Sequence, residues 1–377
     1  MKERKLKVIH VVPVTPRSCG MYETAREIAE EERKLGINAY LYDPRPTAEE
    51  LKEHPPKQGT QKCPGCGKEF TVGEQVQVGV PRVADWTPDR GVCTVPLEFV
   101  AQSDVIISHS GLDAKVKAAT TAPYIHVAHG RPRSSFLIEH SGQTAIYSFY
   151  KEMGTDERLK AAVTLWPEYP DYWKLIFPEA KVHAFQPPCN LDQWQRTETN
   201  YDFGGYSGEI NVICADMWRL DKDPFHIFNA YVLFAKKHPG ARLHIYAAKQ
   251  ERGWGILINT MKELGIVGEV LPLINGLDRV YSAADLMITP HNIAVRTVRE
   301  ALSCGCQVVA GDLNTYTPYT ANPENLQGYA DMMGKAIADW KEDESGCIKR
   351  NRAMAEKSFD VKETARQFAE LARKIAA

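Results

Sequence analysis

No run in the 377-residue chain approaches the roughly 18 consecutive apolar residues that crossing a bilayer requires, so no membrane-spanning helix is expected. An excess of charge of either sign is missing as well: 46 Lys and Arg stand against 48 Asp and Glu, a formal net charge of -2. That balance argues against the large nonspecific phosphate footprint of a basic nucleic-acid-binding chain and leaves room only for a local patch. Neither GxGxxG nor the P-loop pattern occurs, so dinucleotide and P-loop readings lose their support. Internal repeats and low-complexity tracts are also absent. The start, MKERKLKVIHVVPV, runs from charge directly into a short strand without a cleavable-signal pattern, which makes a cytoplasmic location the expectation. Nine cysteines is an odd number, and several lie singly in apolar runs, Cys214 in INVICADMW and Cys304 and Cys306 in ALSCGCQVVA. Buried reduced thiols explain them better than disulfides.

What remains is the composition of a soluble globular protein, 44% hydrophobic and 25% charged, with enough chain for two domains. Short apolar runs of strand length alternate with longer amphipathic segments, the pattern of a parallel-sheet α/β architecture, and the chain does this twice. In the first half strands are expected at Leu6–Val12, Ala39–Tyr42, Asp104–Ser108, Tyr124–Ala128, Thr144–Ser148, Ala162–Leu165 and Val182–Phe185. In the second they fall at Ile210–Ala215, Arg242–Ala247, Val270–Leu273, Leu286–Thr289 and Gln307–Ala310. The polar, glycine-rich stretch Thr197–Glu209 reads as the linker. Domains are therefore expected over 1–196 and 210–355, with a terminal amphipathic helix in 356–377 whose apolar positions are Ala365, Phe368, Leu371 and Ile375.

Ligands of open α/β sheets bind beyond the carboxyl ends of the strands, so the loops leading into helices are where chemistry is sought. The first ends at Gly20, where the backbone can approach a ligand closely and a helix N-terminus favours an anion; that helix carries Tyr22, Ala25, Ile28, Ala29 and Leu35 as its apolar stripe. The second holds Arg219 and Lys222, a planar fork and a point charge able to clamp a diphosphate, or else a solvated basic loop. The third runs through Pro290-His291-Asn292 into a helix containing Glu300. A carboxylate there can accept from two adjacent ribose hydroxyls, while amides near Ile293, Ala294 and Val295 face phosphates. Taken alone, Glu300 reads rather as a surface carboxylate on an exposed face.

Together these segments resemble the GT-B glycosyltransferases, in particular the large GT4-type family that transfers sugars from nucleotide donors with retention. The motifs are the glycine loop, SDVIISHSG, YIHVAHG, PPCNLDQW, WRLDKDP, YSAADLMITP and REALSCGCQVV. Arg219, Leu220 and Lys222 resemble the family's Arg-Leu followed by Lys, with shorter spacing. Glu300 matches the second of two glutamates eight positions apart, and Asn292 stands where the first would be. The resemblance implies two Rossmann-like domains facing a central cleft, a UDP- or GDP-sugar donor, and His129 of the HG element near the reacting carbon. Arg219 and Lys222 would neutralise the departing diphosphate. Glu300 would hold the ribose, and Asn292, Ile293 and Ala294 would line the donor. No carboxylate nucleophile is evident, so a front-face mechanism without a catalytic metal is expected. His109 in SHSG is a weaker candidate, and Arg131 and Arg133 could attract an anionic acceptor. Asn292 suggests altered donor preference. The alternatives are a nucleotide-sugar-binding protein of weak activity, or a transferase acting on nucleic acid rather than on a glycan, lipid or small molecule.

The alternation breaks at about 44–100, where KCPGCGKEF forms a small cysteine-containing insertion. Cys63 and Cys66 present two thiolates to one tetrahedral metal, with Cys93 and His54 the nearest further ligands. A structural zinc would substitute there for a missing core; the alternative is a reduced, metal-free knuckle. The aromatic run containing Trp166, Tyr169, Tyr172 and Trp173 reads as helix-on-sheet packing.

Overall fold

The computed structural model describes residues 5–13, 20–45, 52, 58–62, 69–73, 95–109, 111–129, 150, 152–198, 201–216, 224–246, 254–272 and 274–377. The chain divides into two compact units. The first comprises Met1–Pro188 with Lys362–Ala377, and the second Cys189–Val361. The chain thus changes units ahead of the polar stretch at Thr197–Glu209. The cause is pairing: the Cys189 N–H donates to the Phe359 carbonyl at 2.6 Å, and Phe203 buries its ring 4.1 Å from that of His244.

The first unit contains β1 (Lys7–Val11), β2 (Asn38–Tyr42), a separate antiparallel hairpin of β3 (Gln58–Lys62) and β4 (Glu69–Gly73), then β5 (Val105–Ser108), β6 (Tyr124–Ala128), β7 (Leu159–Thr164) and β8 (Lys181–Ala184). Apart from the hairpin these form one parallel six-stranded sheet in the order β2-β1-β5-β6-β7-β8. β5 and β6 are buried along their whole length, which is why they read as unbroken apolar runs rather than as alternation. Helix α1 (Gly20–Lys34) buries Tyr22, Ala25, Ile28 and Ala29. Leu35, expected on the same stripe, is 42% exposed because the helix has ended and Gly36 turns the chain at φ 84°. The aromatic run packs as expected, with Trp173 fully buried and stacked on Phe177 at 5.9 Å. The terminal helix Val361–Ala376 belongs almost entirely to this unit: Phe368 meets Phe185 edge-on at 5.0 Å, and Arg373 donates to the Leu35 carbonyl.

The second unit repeats the plan with β9 (Ile210–Cys214), β10 (Ala241–Ile245), β11 (Val267–Val270), β12 (Leu286–Ile288), β13 (Gln307–Ala310) and β14 (Tyr319–Thr320). Its order is β11-β10-β9-β12-β13-β14, again parallel throughout. The strand expected at Val270–Leu273 begins three residues earlier. Gly268 makes room for a ring: a Cβ there would lie 2.5 Å from His244. Phe228, Tyr231 and Phe234 of the helix Phe225–Lys237 are fully buried in this core, each such side chain worth about 1.5–3 kcal/mol of transfer free energy. Cys189, Cys214, Cys304, Cys306 and Cys347 are buried free thiols, and burial pushes those of Cys304 and Cys306 well up. Among the described residues no helix is long and apolar enough to cross a membrane. The strand expected at Thr144–Ser148 lies outside the described residues.

Candidate functional site

Each sheet has one place where successive strands depart in opposite directions, and there loops part and a ligand can enter. In the first unit this lies beside β1, between β2 on one side and β5 on the other; in the second it lies beside β9, between β10 and β12. Gly20, placed by the sequence at the mouth of the first, is the first residue of α1.

Beside β1 the side chains are histidines. His10 is buried within β1, His109 follows β5, and His129 follows β6. His10 Nδ1 lies 2.9 Å from His109 Nε2, and His109 Nδ1 lies 2.7 Å from His129 Nε2. At the far end His10 Nε2 meets Glu32 Oε2 of α1 at 2.8 Å, and neither of these two side chains is exposed. The His109 N–H donates to the Val11 carbonyl, and Trp166 Nε1–H donates to the His129 carbonyl at 2.7 Å, so backbone and rings are held together. Burial, followed by the neighbouring His129, His10 and His126, holds His109 well below the ordinary histidine range, so it is neutral. His126 on β6 is also buried, with its pKa lowered to about 4 by desolvation. Neither of its ring nitrogens has a hydrogen-bond partner among the described residues, and Tyr150, Trp173 and Phe177 surround it edge-on.

Beside β9 the arrangement centres on one carboxylate. Asp216 is buried just past the strand. Its Oδ2 accepts from Thr289 Oγ1–H at 2.7 Å and its Oδ1 from Thr297 Oγ1–H at 2.8 Å, with His291 Nε2 3.5 Å away. Glu300 sits in the helix Arg296–Ser303 and is buried, not on an exposed face; Arg296 Nε–H donates to its Oε1 at 2.6 Å. Ile293 and Ala294 are buried, and the Val295 N–H donates to the Ile293 carbonyl at 2.8 Å. Asn292 is half-buried, its side-chain carbonyl 3.4 Å from the Leu313 N–H. Gly311 is what admits Asn292, since a Cβ there would stand 1.9 Å from Asn292 Oδ1.

The structure therefore brings His129 together with His109, and places Asn292, Ile293, Ala294 and Glu300 along one loop and helix. Arg219, Lys222, Arg131, Arg133 and the proposed zinc ligands Cys63, Cys66, Cys93 and His54 lie outside the described residues. Among the described residues no group of three or more His, Cys, Asp or Glu could hold a metal ion. Sequence reasoning missed His10, Glu32 and Asp216. His10 interrupts an otherwise apolar strand in VIHVV, and that interruption was the available signal.

No family model matches the chain, and no curated protein matches it. Solved structures do match over its whole length. Sucrose-phosphate synthase from Thermosynechococcus elongatus aligns with a TM-score of 0.68 at 15% identity, covering 98% of this chain and 99% of that one. Anabaena Alr3699/HepE, solved in complex with UDP-glucose, gives 0.67 at 14% identity over 98% and 100%. A glycosyltransferase from Rickettsia africae gives 0.64 at 14% identity over 99% of each chain. At such identities the likeness establishes the fold: two parallel six-stranded α/β units, shared along their full length with GT-B glycosyltransferases.

Proposed function

We propose that the protein is a glycosyltransferase of GT4 type that moves a sugar from a nucleoside-diphosphate donor, UDP- or GDP-linked, to an acceptor hydroxyl with retention of configuration. The observation that carries this reading is the burial of Glu300 with Arg296 holding one carboxylate oxygen, on the helix that follows β12. A carboxylate kept in one orientation inside a helix suits two adjacent ribose hydroxyls, and a solvated surface glutamate would need no such partner. Full-length likeness to a structure solved with UDP-glucose supports a nucleotide-sugar donor.

In this reading Glu300 holds the ribose. Arg219 and Lys222 neutralise charge developing on the departing diphosphate, the kind of preorganised stabilisation that contributes most when it is already in place. Asn292 and His129 orient the sugar, Ile293 and Ala294 line the donor, and Gly20 permits close approach. The leaving phosphate itself assists removal of the acceptor proton. Asn292 keeps hydrogen-bonding capacity without charge, which alters the choice of donor.

The test is incubation of the purified protein with a panel of nucleotide sugars and candidate acceptors (glycans, lipids, small molecules and modified nucleic acid), following release of nucleoside diphosphate. Acceptor-dependent release supports the transferase. Binding of a donor without release under any acceptor supports the second reading, a nucleotide-sugar-binding protein, for which Asn292 is the specific observation. Metal analysis tests the structural zinc at Cys63 and Cys66 separately: roughly one zinc per chain supports it and none removes it.

A further inference from the structure

The loops that leave β12 and β13 are tied to each other. The Gly311 N–H donates to the His291 carbonyl at 3.1 Å, Asn314 Nδ2–H donates to the same carbonyl at 3.3 Å, and the Asn314 N–H donates to the Gly311 carbonyl at 2.9 Å. Asn314 is buried, and its side-chain carbonyl accepts from the Tyr316 N–H at 3.0 Å. Asn292 lies against this turn, in the space that a Cβ on residue 311 would fill, and its Oδ1 accepts from the Leu313 N–H at 3.4 Å. A backbone N–H can only donate, so the amide atom facing Leu313 is the carbonyl oxygen and the end left over is Nδ2, which can only donate. Among the described residues the Nδ2 N–H groups have no partner. Beside them Leu313 is 68% exposed, and Asp312 next to it is exposed as well.

We propose that this site takes a donor whose transferred sugar carries an N-acyl group, the acetamido class, with the acyl carbonyl accepting from Asn292 Nδ2–H and the acyl methyl covering Leu313. The inference rests on the placing of Asn292 at the sugar proposed above, and it names the class of that sugar. Other substituents meet only part of the arrangement. A free amino sugar brings an ammonium, which only donates and gives Asn292 nothing to bind. A uronic acid brings a carboxylate, which accepts but is repelled by the exposed Asp312 and leaves the leucine uncovered. A plain hydroxyl can accept, yet it has no methyl for Leu313. The N-acyl group is neutral, accepts through its carbonyl and ends in an apolar methyl. Because the turn already holds the amide of Asn292 in one orientation, little ordering remains to be done when such a group binds.

The test is calorimetric titration of the full chain with N-acetylhexosamine, hexose, hexosamine and hexuronic acid donors, each linked to UDP and to GDP. The N-acetylhexosamine donor is expected to bind about tenfold more tightly than the matching hexose donor, the scale on which a small apolar group is told from its absence. In Asn292→Asp the end facing the sugar accepts instead of donating, and the preference should fall to about one. In Leu313→Ser, a change at an exposed position that keeps the backbone N–H, the preference should fall several-fold. If Asn292→Asp does not fold, Leu313→Ser and the unaltered chain decide. Equal binding of hexose and N-acetylhexosamine donors, tighter binding of the hexuronic acid donor, or a preference that both variants leave unchanged overturns the inference while the nucleotide-sugar reading stands. Absence of binding by every nucleotide sugar overturns the inference and that reading together.

Discussion

The two units share a sheet plan yet fill the equivalent position beside their central strands with opposite chemistry. Beside β1 three imidazoles run in a row to one buried glutamate, and the hydrogen bonds pass from ring to ring. Beside β9 one aspartate gathers two threonine hydroxyls directly, and a histidine stands 3.5 Å off. The first arrangement is a row: each ring reaches the next, and Glu32 closes its buried end. The second anchors: Asp216 ties the end of β9 to the loop after β12 and to the first turn of the helix bearing Glu300. Backbone topology is common to both, so the division of labour lies in the side chains.

The comparison predicts its largest effect at the anchor. Asp216→Ala leaves the buried hydroxyl of Thr289 and the half-buried hydroxyl of Thr297 without their acceptor, and the second unit should lose about 3 kcal/mol of stability. Cys214, buried on β9 beside it, provides the readout: its labelling by a thiol reagent should accelerate by about a hundredfold, since 1.4 kcal/mol is a factor of ten. Unchanged labelling would show that Asp216 anchors nothing.

Acid should come next. His126 in the first unit and His244 in the second are each held at about 4, chiefly by burial. Between that value and the ordinary histidine pKa the unfolded chain binds a proton that the folded chain refuses. Stability is therefore complete above about pH 6.5 and falls as pH drops toward 4, by about 3 kcal/mol for each such group. Low His109 adds to this in the first unit, which should unfold first. His126→Phe, set among three rings with no hydrogen bond to lose, should remove much of the first unit's acid sensitivity. Thermal unfolding measured at pH 7 and pH 5 checks this, and an unaltered difference between the two pH values would contradict it.

Gly311→Ala should cost about 1–3 kcal/mol by forcing Asn292 aside, and Asn292→Ala in the same chain should restore part of it; denaturant unfolding measures both. The smallest expected effect falls on binding: Glu300→Gln weakens the grip of Arg296 and should raise the donor KM about tenfold, about 1.4 kcal/mol, with less change in kcat. A KM that does not move would separate Glu300 from the ribose.

How much of this was legible in the sequence depended on the distance over which the information is written. Strands such as Tyr124–Ala128 and Gln307–Ala310 are apolar runs of the right length, and the structure bounds them at the same residues. β14, two residues long, has no period to detect. His129, Asn292 and Glu300 were visible because they belong to short motifs. Glu32 was not, because it lies in AEEERK, where a run of charge reads as a solvated helix face. Its partner is 22 residues away in another element, and the next link is 99 residues further along the chain. Asp216 was hidden in the same way, its hydroxyl partners lying 73 and 81 residues downstream. Pairings that exist only after the sheet has formed leave no local pattern.

The most direct test of the account is to follow the anomeric proton of the sugar by NMR while the purified protein, a nucleotide sugar and an acceptor react. The account predicts release of nucleoside diphosphate matched by a new glycosidic linkage with the anomeric configuration of the donor. Inverted configuration, or intact nucleotide sugar across the whole donor and acceptor panel, would contradict it.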